Sequence, residues 1–288
     1  MTMSELRRTC FRNGLNPTEL RYRPMETLIV ERADGVVTVT LNRPEKKNAI
    51  NGPMWRELID VFDEVADTST DRVLVITGAG DGFCSGADLS PGNNPDLEVQ
   101  PGGIGSTFRE MRVVGRAALR LHHLPQPTIA AVNGVAAGAG LNMALGCDLI
   151  IASERARFTE IFSKRGLNVD FGGSWLLPRL VGLHKAKELV FFADIIDAAE
   201  AERIGIVNRV VPADDLAKIT TELAARLSAL PPIQLSLSKR LLNQSFSVSM
   251  ADALEFEDTA QAMNFASKDT AEAMVAFLQK RDPKFTGE

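Results

Sequence analysis

The chain has 288 residues, 45% hydrophobic and 24% charged, with a mean hydropathy of −0.02. That composition argues against a disordered chain, a collagen-like repeat and a membrane-embedded protein. Its 32 basic and 37 acidic residues leave a formal charge of −5, so a nucleic-acid partner, which needs a basic footprint to neutralise phosphates, is not expected. The three cysteines, Cys10, Cys84 and Cys147, form no CxxC pair, and His122, His123 and His184 show no HExxH spacing. No disulfide scaffold, metal site or Ser-His-Asp triad is therefore expected, and a reducing cytoplasm fits.

Residues 1–25 hold five arginines without an apolar run of signal-peptide length and read as a loosely docked or disordered leader. Thr27–Arg32 and Val36–Leu41 alternate like a hairpin across Ala33-Asp34-Gly35, and Pro53–Ala66 has helical spacing of Met54, Leu58, Val61, Phe62 and Val65. Val73–Ile76 reads as a short buried strand. The Gly/Pro/Asn-rich segment Ser90–Ser106 reads as a mobile loop with the character of a lid, and a helix over Thr107–Leu121 follows. His122 and His123 then read as C-terminal capping residues.

A strand (Thr128–Val132), a glycine-rich turn, a helix (Leu141–Leu145) and a strand (Leu149–Ala152) come next, and this alternation predicts βαβ units in a mostly parallel sheet. The apolar run from Thr128 to Ala152 is long enough to span a membrane, but Asn133, Asn142 and Asp148 interrupt it. Beyond Trp175 the pattern is helical, apart from a strand at Val207–Val211, and Pro231-Pro232 separates two helices. The division expected is a leader (1–25), an α/β core (26–214) and a C-terminal helical region (215–288).

Thr77-Gly-Ala-Gly-Asp-Gly82 follows a strand, yet Phe83 stands at the third-glycine place and no P-loop lysine is present, so a dinucleotide loop is not indicated. Two other turns are more informative: Gly82-Phe-Cys-Ser-Gly-Ala-Asp-Leu89 and Asn133-Gly-Val-Ala-Ala-Gly-Ala-Gly-Leu-Asn142. Small residues let a ligand approach the backbone, and the second turn opens a helix whose first amides lack intrahelical acceptors. Facing one cleft, one amide from each turn would form a two-donor oxyanion hole. Either turn alone is equally well explained by tight packing.

These turns, with Leu41-Asn-Arg-Pro-Glu-Lys-Lys-Asn-Ala-Ile50, Gly172-Gly-Ser-Trp-Leu-Leu-Pro-Arg-Leu180 and Phe277-Leu-Gln-Lys-Arg-Asp-Pro-Lys-Phe285, resemble the crotonase, or enoyl-CoA hydratase/isomerase, superfamily. The resemblance runs from about Glu26 to the C-terminus. It implies an α/β spiral of ββα units, a trimer or dimer of trimers held by the C-terminal helices, and an acyl-CoA substrate that brings its own coenzyme A, with no further cofactor. It also implies oxyanion donors at Ala87 and Ala139. The substrate contacts it implies are Ser85, Gly86, Asp88 and Leu89 on the first turn, and Gly138, Gly140, Asn142 and Phe162 around the second. Phe277 and Lys280 would come from a neighbouring subunit, with Lys280 near a phosphate.

The two glutamates of family hydratases fall on Asn142 and Phe162, neither of which can serve as a general base. Glu160, two residues from the second place, reads as surface charge, with a shifted alignment that brings it inward as the alternative. Asp170 matches the aspartate of dienoyl-CoA isomerases and of ring-1,2-epoxyphenylacetyl-CoA isomerases, the branch with the nearest pattern. One carboxylate is sufficient for a 1,3-proton shift, and burial among Val169, Phe171 and Trp175 is expected to raise its pKa. The bland alternative is an N-cap on the helix that starts near Gly172. The alternatives to an isomerase are an enoyl-CoA hydratase, a 4-chlorobenzoyl-CoA dehalogenase-like hydrolase, whose histidine pattern Gly115 does not match, and a non-catalytic acyl-CoA binder. Glu45 departs from the lysine some hydratases carry, and Lys46 and Lys47 read as solvated surface.

Overall fold

The computed structural model describes residues 25–90 and 104–288. The leader up to residue 24 and most of the expected lid, residues 91–103, lie outside the described residues. A right-twisted hairpin begins the fold. β1 (Leu28–Ala33) pairs antiparallel with β2 (Val36–Leu41), and Asp34 and Gly35 both adopt positive φ, as a two-residue turn of this hand requires.

β2 then pairs parallel with β3 (Val73–Gly78), and β5 (Thr128–Val132), β7 (Leu149–Ser153) and β10 (Arg209–Val211) extend the sheet in the order β1-β2-β3-β5-β7-β10. Both faces are covered, which is why these strands read as continuous apolar runs. Leu74, Ile76, Ala130 and Ile150 enter the main core with Met54, Leu58 and Phe62 of helix α1 (Gly52–Asp67). Val73, Val75, Ile129 and Ile151 face the other way, onto Leu216 and Ala224 of the helix Leu216–Ser228.

A second sheet was not visible in the hydrophobic pattern. It comprises β4 (Gly82–Cys84), β6 (Val135–Ala137), β8 (Arg157–Thr159) and β9 (Ile196–Asp197), in that order. Two of its three ladders, β4 with β6 and β6 with β8, are parallel, and β8 with β9 is antiparallel. This small sheet carries both glycine-rich turns, so it is the element that positions the site. Helix α2 (Ile104–His122) starts three residues earlier than expected, and α3 (Ala139–Leu145) two residues earlier. Helix α4 (Gly173–Val181) follows, and the helices Pro232–Gln244, Met250–Phe265 and Lys268–Gln279 close the chain. No helix among the described residues is long and apolar enough to cross a membrane.

Candidate active site

The string Leu41–Ile50 works as a clamp on the first turn. Asn48, fully buried, accepts from the Arg43 N–H at 2.9 Å and donates to the carbonyls of Ala79 and Gly82 at 2.9 and 2.8 Å. Arg43 donates to the Ala49 carbonyl and pairs with buried Asp88 at 2.9 Å. The Ile50 N–H donates to the Gly86 carbonyl and the Asp88 N–H to the Ile50 carbonyl, both at 2.8 Å. This bridge turns the intervening Ala87 N–H away from the clamp, and it meets no acceptor among the described residues. Asp88 thus holds the turn through its side chain, with its carboxyl below the usual range: burial would raise it, but the Ser90 and Arg43 bonds outweigh burial. Leu89 is exposed, and Ser85 Oγ donates to the Lys46 carbonyl. Lys47 is an exposed residue paired with Asp81.

The second turn lies directly against the first. A Cβ on Gly86 would sit 2.9 Å from the Ala137 carbonyl oxygen and 3.8 Å from the Ala139 nitrogen, and one on Gly140 would sit 2.2 Å from the Cys84 carbonyl oxygen. Only glycine permits this approach at Gly86, whose φ is also positive. Ala139 is the first residue of α3, so its N–H has no intrahelical acceptor. Two unengaged backbone donors therefore come from two adjoining turns, the arrangement that stabilises a developing oxyanion.

A third segment closes the cluster. The Gly138 N–H donates to the Thr159 carbonyl at 2.9 Å, which fixes the chain after β8 beside the start of α3. Phe162 is buried there, and a Cβ on Gly138 would lie 3.4 Å from its ring. Glu160, expected on the surface, is 1% exposed, and neither carboxylate oxygen has a hydrogen-bond partner. Its pKa is pushed up to about 8, first by burial and then by the like charge of Asp170. The Asn142 amide acts in the opposite direction without reaching hydrogen-bond geometry with Glu160. The surface reading failed because the two residues after a three-residue strand turn inward over α3, and no periodicity records that.

Asp170 caps nothing. The N-cap of α4 is Gly172, with no side-chain cap, and only the Asp170 backbone carbonyl accepts, from Gly173 N–H and from Asn142 Nδ2 at 2.9 Å. Its Oδ1 is buried without a partner, and burial raises its pKa to about 6. Phe171, next in the chain, adopts the left-handed region at φ 48 and stacks on Trp55 with ring centroids 5.5 Å apart. That conformation is strained for an aromatic residue, and the stacking holds the turn that presents Asp170. Asn142 is wholly buried with Oδ1 unpartnered, so three polar side chains of this cluster carry unsatisfied atoms. Most buried polar groups in proteins are satisfied; the other unpartnered atoms here, such as Gln126 Oε1 and Thr220 Oγ1, belong to separate residues elsewhere, whereas these three side chains share one place, which marks it as prepared for a ligand.

Phe277 and Lys280 are not in this network among the described residues. Phe277 is 80% exposed, and Lys280 ends its helix as a left-handed C-cap. A cavity of about 950 Å³ opens between α2, α4 and the helix Pro232–Gln244, with Phe171 and Trp175 in its wall. Neither carboxylate and neither free amide lines it, so chemistry rather than size locates the site. No group of three or more potential metal ligands occurs among the described residues.

Residues 31–288 match the family model described as enoyl-CoA hydratase/isomerase. The chain belongs to this family. An acyl-CoA substrate is thereby implied. The 1,2-epoxyphenylacetyl-CoA isomerase of Escherichia coli K12 is 39% identical over 92% of this chain and 100% of its own length. The short-chain-enoyl-CoA hydratase of Clostridium acetobutylicum is 37% identical over 89% of this chain and 96% of its own. The crystal structure of an enoyl-CoA hydratase from Bacillus anthracis superposes with a TM-score of 0.84 at 32% identity, covering 91% of this chain and 100% of that one. The α/β crotonase-like fold expected from the motifs is thus the fold found. Membership of the hydratase/isomerase family leaves the choice of reaction to the side chains of the individual site. Sequence reasoning placed Glu160 on the surface and passed over two further residues, Arg43 and Asn48. For the last two, the signal was their position in the Leu41–Ile50 string.

Proposed function

We propose that the protein is an acyl-CoA isomerase that moves a double bond, or rearranges a ring, through a thioester enolate, with Asp170 as acid and base. The observation that carries this reading is Asp170 itself: a carboxyl with one buried, unpartnered oxygen, titrating near 6, and excused from capping the helix it precedes. A base poised near the working pH is what proton abstraction needs. For a 3-enoyl-CoA, Asp170 takes a proton from C2 and the C–H electron pair enters the conjugated system. The resulting negative charge on the thioester oxygen is met by the Ala87 and Ala139 amides. A proton then returns at C4, leaving a 2-enoyl-CoA. Coenzyme A enters and leaves as part of the substrate, and no further cofactor takes part.

A hydratase is the second reading, and the burial of Glu160 is what favours it, because water addition in this family uses two carboxylates and this site holds two. The test follows a 3-enoyl-CoA, a 2,5-dienoyl-CoA and crotonyl-CoA side by side, by mass and ultraviolet absorption. Isomerase activity predicts double-bond migration without gain of a water, and Asp170→Asn should fold normally and lose roughly 100-fold or more in kcat. Efficient hydration of crotonyl-CoA with no migration would replace this reading by the second one. Equal turnover in Asp170→Asn and the parent would remove Asp170 from the reaction. We further propose that the chain assembles as a trimer or dimer of trimers, and that Phe277 and Lys280 reach the coenzyme A of a neighbouring copy. The exposure of Phe277 and its helix supports this.

A further inference from the structure

We propose that Glu160 is a second catalytic residue of this site, the proton donor that works opposite Asp170 as proton acceptor. This inference rests on the isomerase reading above and moves its proton-returning step from Asp170 to Glu160. Three observations place Glu160 there. It directly follows Thr159, whose carbonyl holds the Gly138 N–H, so it stands one residue from the anchor of the turn that carries the Ala139 donor. Its carboxyl is 1% exposed, and both of its oxygens are unpartnered. It shares its surroundings with Asp170 and Asn142, each of which also has a buried oxygen with no partner. A structural glutamate at this depth would be paired or hydrogen-bonded, because a buried orphan acceptor costs free energy without return. An inward carboxyl with both oxygens open, beside the turn that carries the Ala139 donor, is free to exchange a proton with a bound acyl group.

The division of labour follows from the electrostatics. Two neighbouring carboxyls do not both ionise readily, and the proton stays on the one whose site disfavours charge more. That one is Glu160, at about 8 against about 6 for Asp170. Among the described residues Asp170 is the one charged group whose field acts on Glu160, and the Asn142 amide is the other polar influence. Lys164, on the turn after Glu160, is directed to the Ala193 carbonyl and to Asp194. At neutral pH the site therefore holds one carboxylate and one carboxylic acid. The Asp170 carboxylate takes the proton from C2 as Glu160 O–H gives its proton to C4. The double bond has moved, and the charge now sits on Glu160. As product leaves, Asp170 releases its proton to solvent and Glu160 takes one up, so each cycle conserves protons and restores the starting state.

The test is Glu160→Gln in the full-length protein, assayed on 3-hexenoyl-CoA beside the parent and Asp170→Asn. The expected result is a fall in kcat of roughly 100-fold with KM changed by no more than about threefold, the signature of a lost general acid rather than of a lost binding contact. The parent should give a bell-shaped pH profile, rising through about 6 and falling through about 8, and Glu160→Gln should lose the alkaline fall while keeping the acid rise. A kcat within twofold of the parent with the bell intact overturns the proposal and leaves the isomerase reading standing. No turnover by the parent overturns the isomerase reading instead. The proton on Glu160 is then read directly, as a protonated-carboxyl infrared band at neutral pH that disappears in Glu160→Gln. Absence of that band in the parent overturns the acid role whatever the activity.

Discussion

A carboxyl that loses its water on folding is unfavourable when charged, and Glu160 and Asp170 both carry that penalty. For an acid whose folded pKa is raised, the folded state keeps its proton where the unfolded chain has lost it. Stability is therefore highest below the unfolded pKa and is lost as pH rises through the folded one. For Glu160 that window runs from 4.5 to about 8. Glu160→Gln removes the titration while keeping the shape, so urea unfolding should show the parent losing stability between about pH 5 and about pH 8 by more than the variant does. The excess should be on the order of a few kcal/mol. Equal pH slopes in the two proteins would mean that Glu160 is solvated, and its placement wrong. Nothing in the local sequence announces this burial: Glu160 lies between Thr159 and Ile161, and the chain there is fixed by the bond that the Thr159 carbonyl accepts from the Gly138 N–H, a residue far back in the sequence. Asp170 was legible as a candidate from its place in a motif. Whether it capped the helix required the conformation of Phe171 and Gly172.

At the scale of elements, the site depends on two turns pressed closer than a side chain would permit. Gly140 decides this contact, because any Cβ there meets the Cys84 carbonyl at 2.2 Å. Backbone cannot yield as a flexible side chain does, so Gly140→Ala must push β4 away from α3. We expect it to cost about 1–3 kcal/mol of stability, the range for overpacking a tight interior. It should also cost at least about tenfold in kcat, because displacing one oxyanion donor is expensive. Thermal unfolding and turnover measured together check this, and an alanine variant with parental kcat would show that the two amides do not act on one oxygen. The long parallel strands were legible as continuous apolar runs and α1 by its helical period, whereas β4, β6 and β8, at three residues each, are too short to show either. The glycines flagged those turns as close approaches without saying what approached them.

At the scale of the whole molecule, the larger of the two sheets has both faces covered, and the C-terminal helices carry exposed apolar residues outside the two buried cores. Met250, Met263, Phe265, Met274, Phe277 and Leu278 are all more than half exposed. Single exposed apolar residues are ordinary, but so many on two consecutive helices exceed what a monomer usually presents. A closed symmetric assembly would bury them against copies of the same surface and leave no edge for further growth. Light scattering coupled to gel filtration should then give a mass of three or six times the 31.3 kDa chain. The double variant Phe277→Asp with Leu278→Asp should fall to the single-chain mass while keeping its far-ultraviolet helix signal, because both side chains lie outside the two buried cores. If Phe277 also reaches a neighbour's coenzyme A, the dissociated variant should show a raised KM for acyl-CoA before any change in the pH profile set by Asp170. A monomeric parent would assign these helices to a partner of another kind, and would leave the site to bind coenzyme A from one chain alone.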